Sequence, residues 1–225
     1  MPLFTKQEYL DRLQQTKAHM QAARIDVLVV ADPANMNYLT GYDGWSFYVP
    51  QCVVVSLDAD TPLWIGRKMD VAGARHTTYL SDSHIIGYPE SYVQTPDRHP
   101  MNVVGDTIND RGWGSQRVGV EMDAYYFTAR AYSELRKHLP AAQFANVDLL
   151  VNWIRLVKSD AEIGLMREAG QIATRVMTTA IDRLAPGVRE CDAVAAVYQA
   201  QMSGTDTFGG DYPAIVPMMP TGEKT

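Results

Sequence analysis

Five aromatic side chains, Tyr38, Tyr42, Trp45, Phe47 and Tyr48, crowd a short stretch of this chain, interleaved with Gly41 and Gly44. Ring faces attract cations, and glycine lets a backbone take positive φ and splay a loop. Residues 35 to 48 therefore read as an aromatic-lined loop suited to a small polar ligand carrying a delocalised cation. The plainer alternative stays open: Tyr38 and one or two others anchor the loop on a sheet.

Other chemistry-bearing residues are less concentrated. Asp206 and Asp211 flank Phe208-Gly209-Gly210, a separation that puts them on one face of neither a helix nor a strand. Glu121 and Asp123 follow an apolar run and are expected to be exposed at its end or to cap the next helix. The histidines, His19, His76, His84, His99 and His138, stand apart from one another and from acidic clusters. Each reads as a surface or capping residue, and no metal site assembles from spacing alone. There is no phosphate-binding glycine loop, no G-x-G-x-x-G after a strand, no H-E-x-x-H and no G-x-S-x-G. Cys52 and Cys191 form no C-x-x-C pair and read as buried or part-buried thiols in a reducing cytoplasm.

Several elements must position these residues. An amphipathic helix is predicted over residues 6 to 23, with Tyr9, Leu10, Leu13, Met20 and Ala23 inward and Lys6, Asp11, Arg12 and Lys17 outward. The run Asp26 to Ala31 reads as a strand buried on both faces, broken by Asp32-Pro33. Further strands are predicted at 52–57, 63–65, 84–86 and 118–121, and helices at 69–74, 102–110, 126–138 and 147–157. This alternation indicates an α/β domain. The proline-bearing loop from Gly87 to Pro100 is polar enough to move or to cover a site.

A second unit opens at Ser159. Its hydroxyl and the Glu162 carboxylate are spaced for a capping box, and Ile163, Met166, Ala173, Met177, Ala180 and Leu184 mark one face of a long helix. That helix should stop at Ala185-Pro186-Gly187, with another beginning near Arg189. About forty residues then remain, too few to bury both helices in a core of their own, so the sequence is expected to continue past Thr225.

Composition excludes some classes. The 225 residues are 46% hydrophobic and carry a net charge of -6, with the 20 basic residues scattered. That balance argues against a nucleic-acid binder. No apolar run reaches the length of a membrane span, and the amino terminus lacks the apolar core of a signal peptide. The expectation is a soluble cytoplasmic protein.

Taken together, four elements carry a family resemblance. Asn37-Tyr38-Leu39-Thr40-Gly41 is similar to an N-Y-x-x-G turn, and Val118-Gly119-Val120-Glu121 to a G-x-E strand. Arg155 through Ile163, with Met166-Arg167-Glu168-Ala169, is similar to an R-x-x-K-S-x-x-E-I…M-R-x-A entry. Pro186 through Glu190 resembles a G-x-x-E turn. The chain thus resembles the creatinase and aminopeptidase-P family, most closely its ectoine-hydrolysing members.

That resemblance implies a creatinase-type amino-terminal α/β domain over residues 1–156, its mixed β-sheet flanked by helices. The opening helices of a pita-bread catalytic domain would follow over 157–225. It implies a homodimer in which the aromatic loop reaches the partner's active site. Peptidase members hold two metals; creatinase-like members work without one, using a histidine and carboxylates. Those residues would lie beyond Thr225, the histidine shortly after the 212–217 segment, so this chain alone is expected to be inactive. In creatine-hydrolysing members the loop supplies a phenylalanine and, two residues on, an arginine that clamps the substrate carboxylate. Counting from Gly41, the phenylalanine falls on Phe47 and the arginine position on Val49, which disfavours creatine. Trp45, Phe47 and Tyr48 are then the candidate substrate-binding residues, forming a cage for ectoine or 5-hydroxyectoine. The implied reaction is ring-opening C–N hydrolysis to an acetylated diaminobutyrate without a cofactor. The alternatives are a metal-dependent Xaa-Pro dipeptidase and a non-catalytic binding module of the same fold.

Overall fold

The computed structural model describes residues 2–213 and 215–224. Met1, Ala214 and Thr225 lie outside them, and with Ala214 one position of the 212–217 segment. The chain divides into two compact units, Met1–Val157 and Lys158–Thr225.

The first unit runs α1 (Lys6–Ala22), β1 (Val27–Val30), α2 (Pro33–Thr40), β2 (Cys52–Ser56), β3 (Leu63–Arg67), α3 (Val71–Thr77) and β4 (Ile85–Tyr88). It continues through α4 (Pro100–Asp110), β5 (Arg117–Val120), α5 (Ala129–His138), β6 (Gln143–Asn146) and α6 (Leu150–Ile154). One six-stranded sheet, ordered β4-β3-β2-β1-β5-β6, spans the unit. β1 pairs antiparallel with β2, and β2 with β3; the other pairs are parallel. The mixed α/β sheet is as the resemblance implied.

Both sheet faces are covered, which is why β1 and β2 read as continuous apolar runs. Leu28, Val30, Val53 and Val55 pack with Leu13 and Met20 of α1, Met36 and Leu39 of α2 and Val151 of α6. Val27, Val29, Val54 and Val118 pack with Val104 and Ile108 of α4 and Leu135 of α5. Burial of each such side chain stabilises by about 1.5–3 kcal/mol before the ordering entropy is counted.

Several expectations need correction. Residues 33–40 form a helix rather than a loop: Asp32 accepts from the Asn35 N–H at 3.0 Å, Pro33 opens the first turn, and Gly41 at φ +84° closes it. That is the usual Pro-in, Gly-out arrangement. Ala23, the C-cap of α1, is exposed, not inward, and Arg12 is buried at 3% exposure, not outward. Its guanidinium lies over the rings of Phe4 and Tyr38, at 4.1 and 4.6 Å from the centroids, and donates to the Tyr38 carbonyl. Glu121 is buried too, not exposed. Cys52 is buried as expected, but Cys191 is exposed. In addition, β6 was not anticipated, because an edge strand reading Gln-Phe-Ala-Asn has no apolar run to betray it.

The second unit holds α7 (Asp160–Arg183) and α8 (Glu190–Ser203). The capping box forms: Glu162 N–H donates to Ser159 Oγ at 3.2 Å, and Ser159 N–H to Glu162 Oε2 at 2.9 Å. Ala193 and Val197 of α8 are buried, whereas no described residue of α7 is.

Candidate substrate-binding cleft

The segment after α2 is held by its own side chains. Tyr42 packs its ring 4.9 Å from that of Trp64, and its hydroxyl lies 2.9 Å from Ser46 Oγ. Ser46 Oγ donates in turn to Gln51 Oε1 at 3.0 Å, and the Val49 N–H to the Ser46 carbonyl at 3.0 Å. These groups are buried, and burial pushes the Tyr42 hydroxyl above its ordinary pKa, so it stays a neutral hydrogen-bonding partner. The segment is therefore a shaped platform, not a slack loop.

On that platform Phe47, Tyr48 and Val49 line one wall of a cleft of about 320 Å³. Tyr92 and Arg98 reach it from the segment between β4 and α4, Tyr125 and Tyr126 from the turn after β5, and Arg130 from α5. Phe47 lies 5.1 Å from Tyr126 and 6.2 Å from Tyr48, centroid to centroid. Arg67 braces Tyr48, donating to its hydroxyl at 3.4 Å while pairing with Asp70 and Glu90. No carboxylate is among the described lining residues. Ring faces and guanidinium groups can bind a small molecule bearing both charges.

Of the anticipated residues, Phe47 and Tyr48 line the cleft and Trp45 does not. Trp45 packs against Phe47 at 4.7 Å and is 58% exposed. Tyr38 is buried and faces Arg12 instead. Tyr92, Tyr125, Tyr126, Arg98 and Arg130 were not singled out from sequence. The available signal was Thr128: it caps α5, its hydroxyl accepting from the Ala131 N–H at 3.1 Å, which leaves Tyr125 and Tyr126 outside the helix.

Two polar devices hold the elements that carry the cleft. Glu121 was expected to be exposed, yet its carboxylate accepts from Ala31 N–H at 2.7 Å, Asp32 N–H at 2.9 Å and Asn35 Nδ2 at 2.7 Å. Burial pushes its pKa up, opposed by those three hydrogen bonds. Asn35 Nδ2 also donates to Asn152, and Asn35 Oδ1 accepts from Arg155 at 2.6 Å. The start of α2 is thus tied to β5 and to α6. At the other side His99 caps α4 as a capping histidine should, Nδ1 accepting from Met101 N–H at 3.1 Å. Asp123, by contrast, is exposed as anticipated.

Among the described residues no group of three or more His, Cys, Asp or Glu side chains could hold a metal ion. No described helix is long and apolar enough to cross a membrane.

Comparison with known proteins places the chain in a family. An uncharacterized hydrolase/peptidase of Sinorhizobium fredii is 50% identical over 98% of this chain and 56% of its own length. The ectoine hydrolase of Halomonas elongata is 47% identical, again over 98% of this chain and 56% of the relative. The chain thus spans little more than half the length of these curated relatives. Among solved structures, the Xaa-Pro dipeptidase from Bacillus anthracis superposes with a TM-score of 0.67 over 85% of this chain and 48% of that one, at 20% identity. That likeness concerns the fold. Residues 12–157 match the Creatinase/Prolidase N-terminal domain and residues 164–225 the Metallopeptidase family M24; the chain belongs to the creatinase/prolidase family.

Proposed function

We propose that this chain serves in a creatinase-like hydrolase that opens the ring of ectoine. The observation that carries the reading is the aromatic cleft around Phe47 in a chain 47% identical to an ectoine hydrolase. Ectoine is a compact cyclic amidinium with a carboxylate. Its delocalised cation suits the faces of Phe47, Tyr48 and Tyr126, with Trp45 supporting Phe47 from outside.

In the reaction, water adds to the amidine carbon and a C–O bond forms. The ring C–N bond breaks, the departing nitrogen of the amidinium takes both protons of the water and leaves as an ammonium, and the oxygen remains as the carbonyl of an acetylated diaminobutyrate. General acid–base groups must move those protons. The described lining of the cleft holds no carboxylate, and its role in the proposal is to bind and orient the substrate and to shed bulk water. As part of the same reading, two copies pair so that this cleft closes over the active site of the partner.

The match of residues 164–225 to a metallopeptidase family supports a second reading, a metal-dependent Xaa-Pro dipeptidase. Substrate competition separates them in a protein whose residues 1–225 are followed by a complete second domain. With ectoine and an Xaa-Pro dipeptide supplied together, our reading expects consumption of ectoine alone. Release of free proline with ectoine untouched would overturn it.

A further inference from the structure

Two arginines face the aromatic cleft, and they are differently engaged. Arg130 Nη2 is committed to backbone: it donates to the carbonyls of Thr95 at 2.9 Å, Pro96 at 3.1 Å and Arg98 at 3.2 Å. Those three bonds fasten the segment that precedes α4 onto α5. The cap made by His99 fixes the next residue, since His99 N–H also donates to Asn102 Oδ1 at 2.7 Å. Backbone on both sides of the Arg98 side chain is therefore anchored.

Arg98 itself is exposed and makes little use of its fork. Its guanidinium lies 5.8 Å from the Tyr92 ring centroid and reaches Ser91 Oγ at 3.4 Å. No carboxylate pairs with it among the described residues, and none is among the described residues lining the cleft. A planar donor fork held against an aromatic wall, on an anchored segment, matches a carboxylate with two parallel hydrogen bonds. The ring faces that line the same cleft would take a delocalised cation.

From this we infer that Arg98 is the substrate-binding residue that holds the carboxylate of a small zwitterion, while Phe47, Tyr48 and Tyr126 face its cation. The inference rests on the ectoine reading and adds to it the residue and the substrate group it recognises. Arg130 is the positioning residue that presents the Arg98 segment.

Steady-state kinetics with ectoine and its primary carboxamide test this, using the protein with its complete second domain and the variants Arg98→Ala and Arg98→Lys. Arg98→Ala is expected to raise KM for ectoine by about tenfold or more, with kcat within about threefold. KM for the carboxamide should not change, and Arg98→Lys should fall between. An unchanged KM for ectoine in Arg98→Ala, or an equal rise for both compounds, overturns the assignment. Wild-type protein that leaves ectoine intact overturns the functional reading, and this inference with it.

Discussion

Phe47 and Tyr126 meet with ring centroids 5.1 Å apart, joining the segment after α2 to the turn after β5. Their planes are inclined at 49°, a tilted contact in which ring edge and ring face attract. A double-mutant cycle with Phe47→Ala and Tyr126→Ala, read by urea unfolding, should give a coupling of about 0.5–1.5 kcal/mol. Additive losses would mean that the two walls of the cleft stand independently.

Glu121 should be intolerant of its closest isostere. In Glu121→Gln, the amide oxygen can keep the two backbone N–H groups, but the new NH₂ then faces Asn35 Nδ2. Turning Asn35 over would present its NH₂ to Arg155, replacing an acceptor with a donor. One donor is left unsatisfied either way, so a loss of about 1–3 kcal/mol is expected. Asp123→Asn is the control, exposed and expected within about 0.5 kcal/mol of wild type. Equal denaturation midpoints for the two variants would contradict the network.

Much of the fold was legible in the sequence because burial on both sheet faces leaves unbroken apolar runs, as in Val27–Val30. The capping box at Ser159 was equally plain, since it depends only on local spacing. Arg12 and Glu121 were not legible. The burial of Glu121 is made tolerable by groups distant in sequence, the Asn35 amide and two backbone N–H groups. That of Arg12 is made tolerable by the distant Tyr38 ring and carbonyl together with Glu8 and Phe4 nearby in the chain. The cleft was half legible. Phe47 and Tyr48 sit in a dense aromatic cluster, whereas Tyr126 and Arg98 join them only through folding.

Gly41 should resist substitution. Its φ is +84°, and an added Cβ would meet Tyr9 Oη at 2.7 Å and the Thr77 carbonyl at 2.9 Å. Gly41→Ala is expected to cost about 1–3 kcal/mol, combining backbone strain with those contacts. A thermal midpoint equal to wild type would contradict the left-handed helix end.

Stability should weaken on mild acidification through His99. Burial, and then the charge of Arg130, hold its pKa below the ordinary 6.5, with Glu134 opposing. A lowered folded pKa favours the neutral ring, so this contribution is full above the unfolded value. It is lost as pH falls through the folded one, because protonated Nδ1 cannot accept from Met101 N–H. Between about pH 7 and pH 5, wild type should lose stability that His99→Asn retains, since asparagine caps without titrating. Parallel pH profiles for the two proteins would remove His99 from this role.

The most direct measurement is ectoine turnover by wild type and Phe47→Ala, each with a complete second domain, followed by NMR of the acetyl methyl group. Our account predicts conversion to an acetylated diaminobutyrate by wild type and a KM raised about fivefold to thirtyfold in Phe47→Ala, the scale of a lost cation–ring contact. Unchanged KM and turnover in Phe47→Ala would take the cleft out of the substrate site, and no ring opening by wild type would contradict the account as a whole.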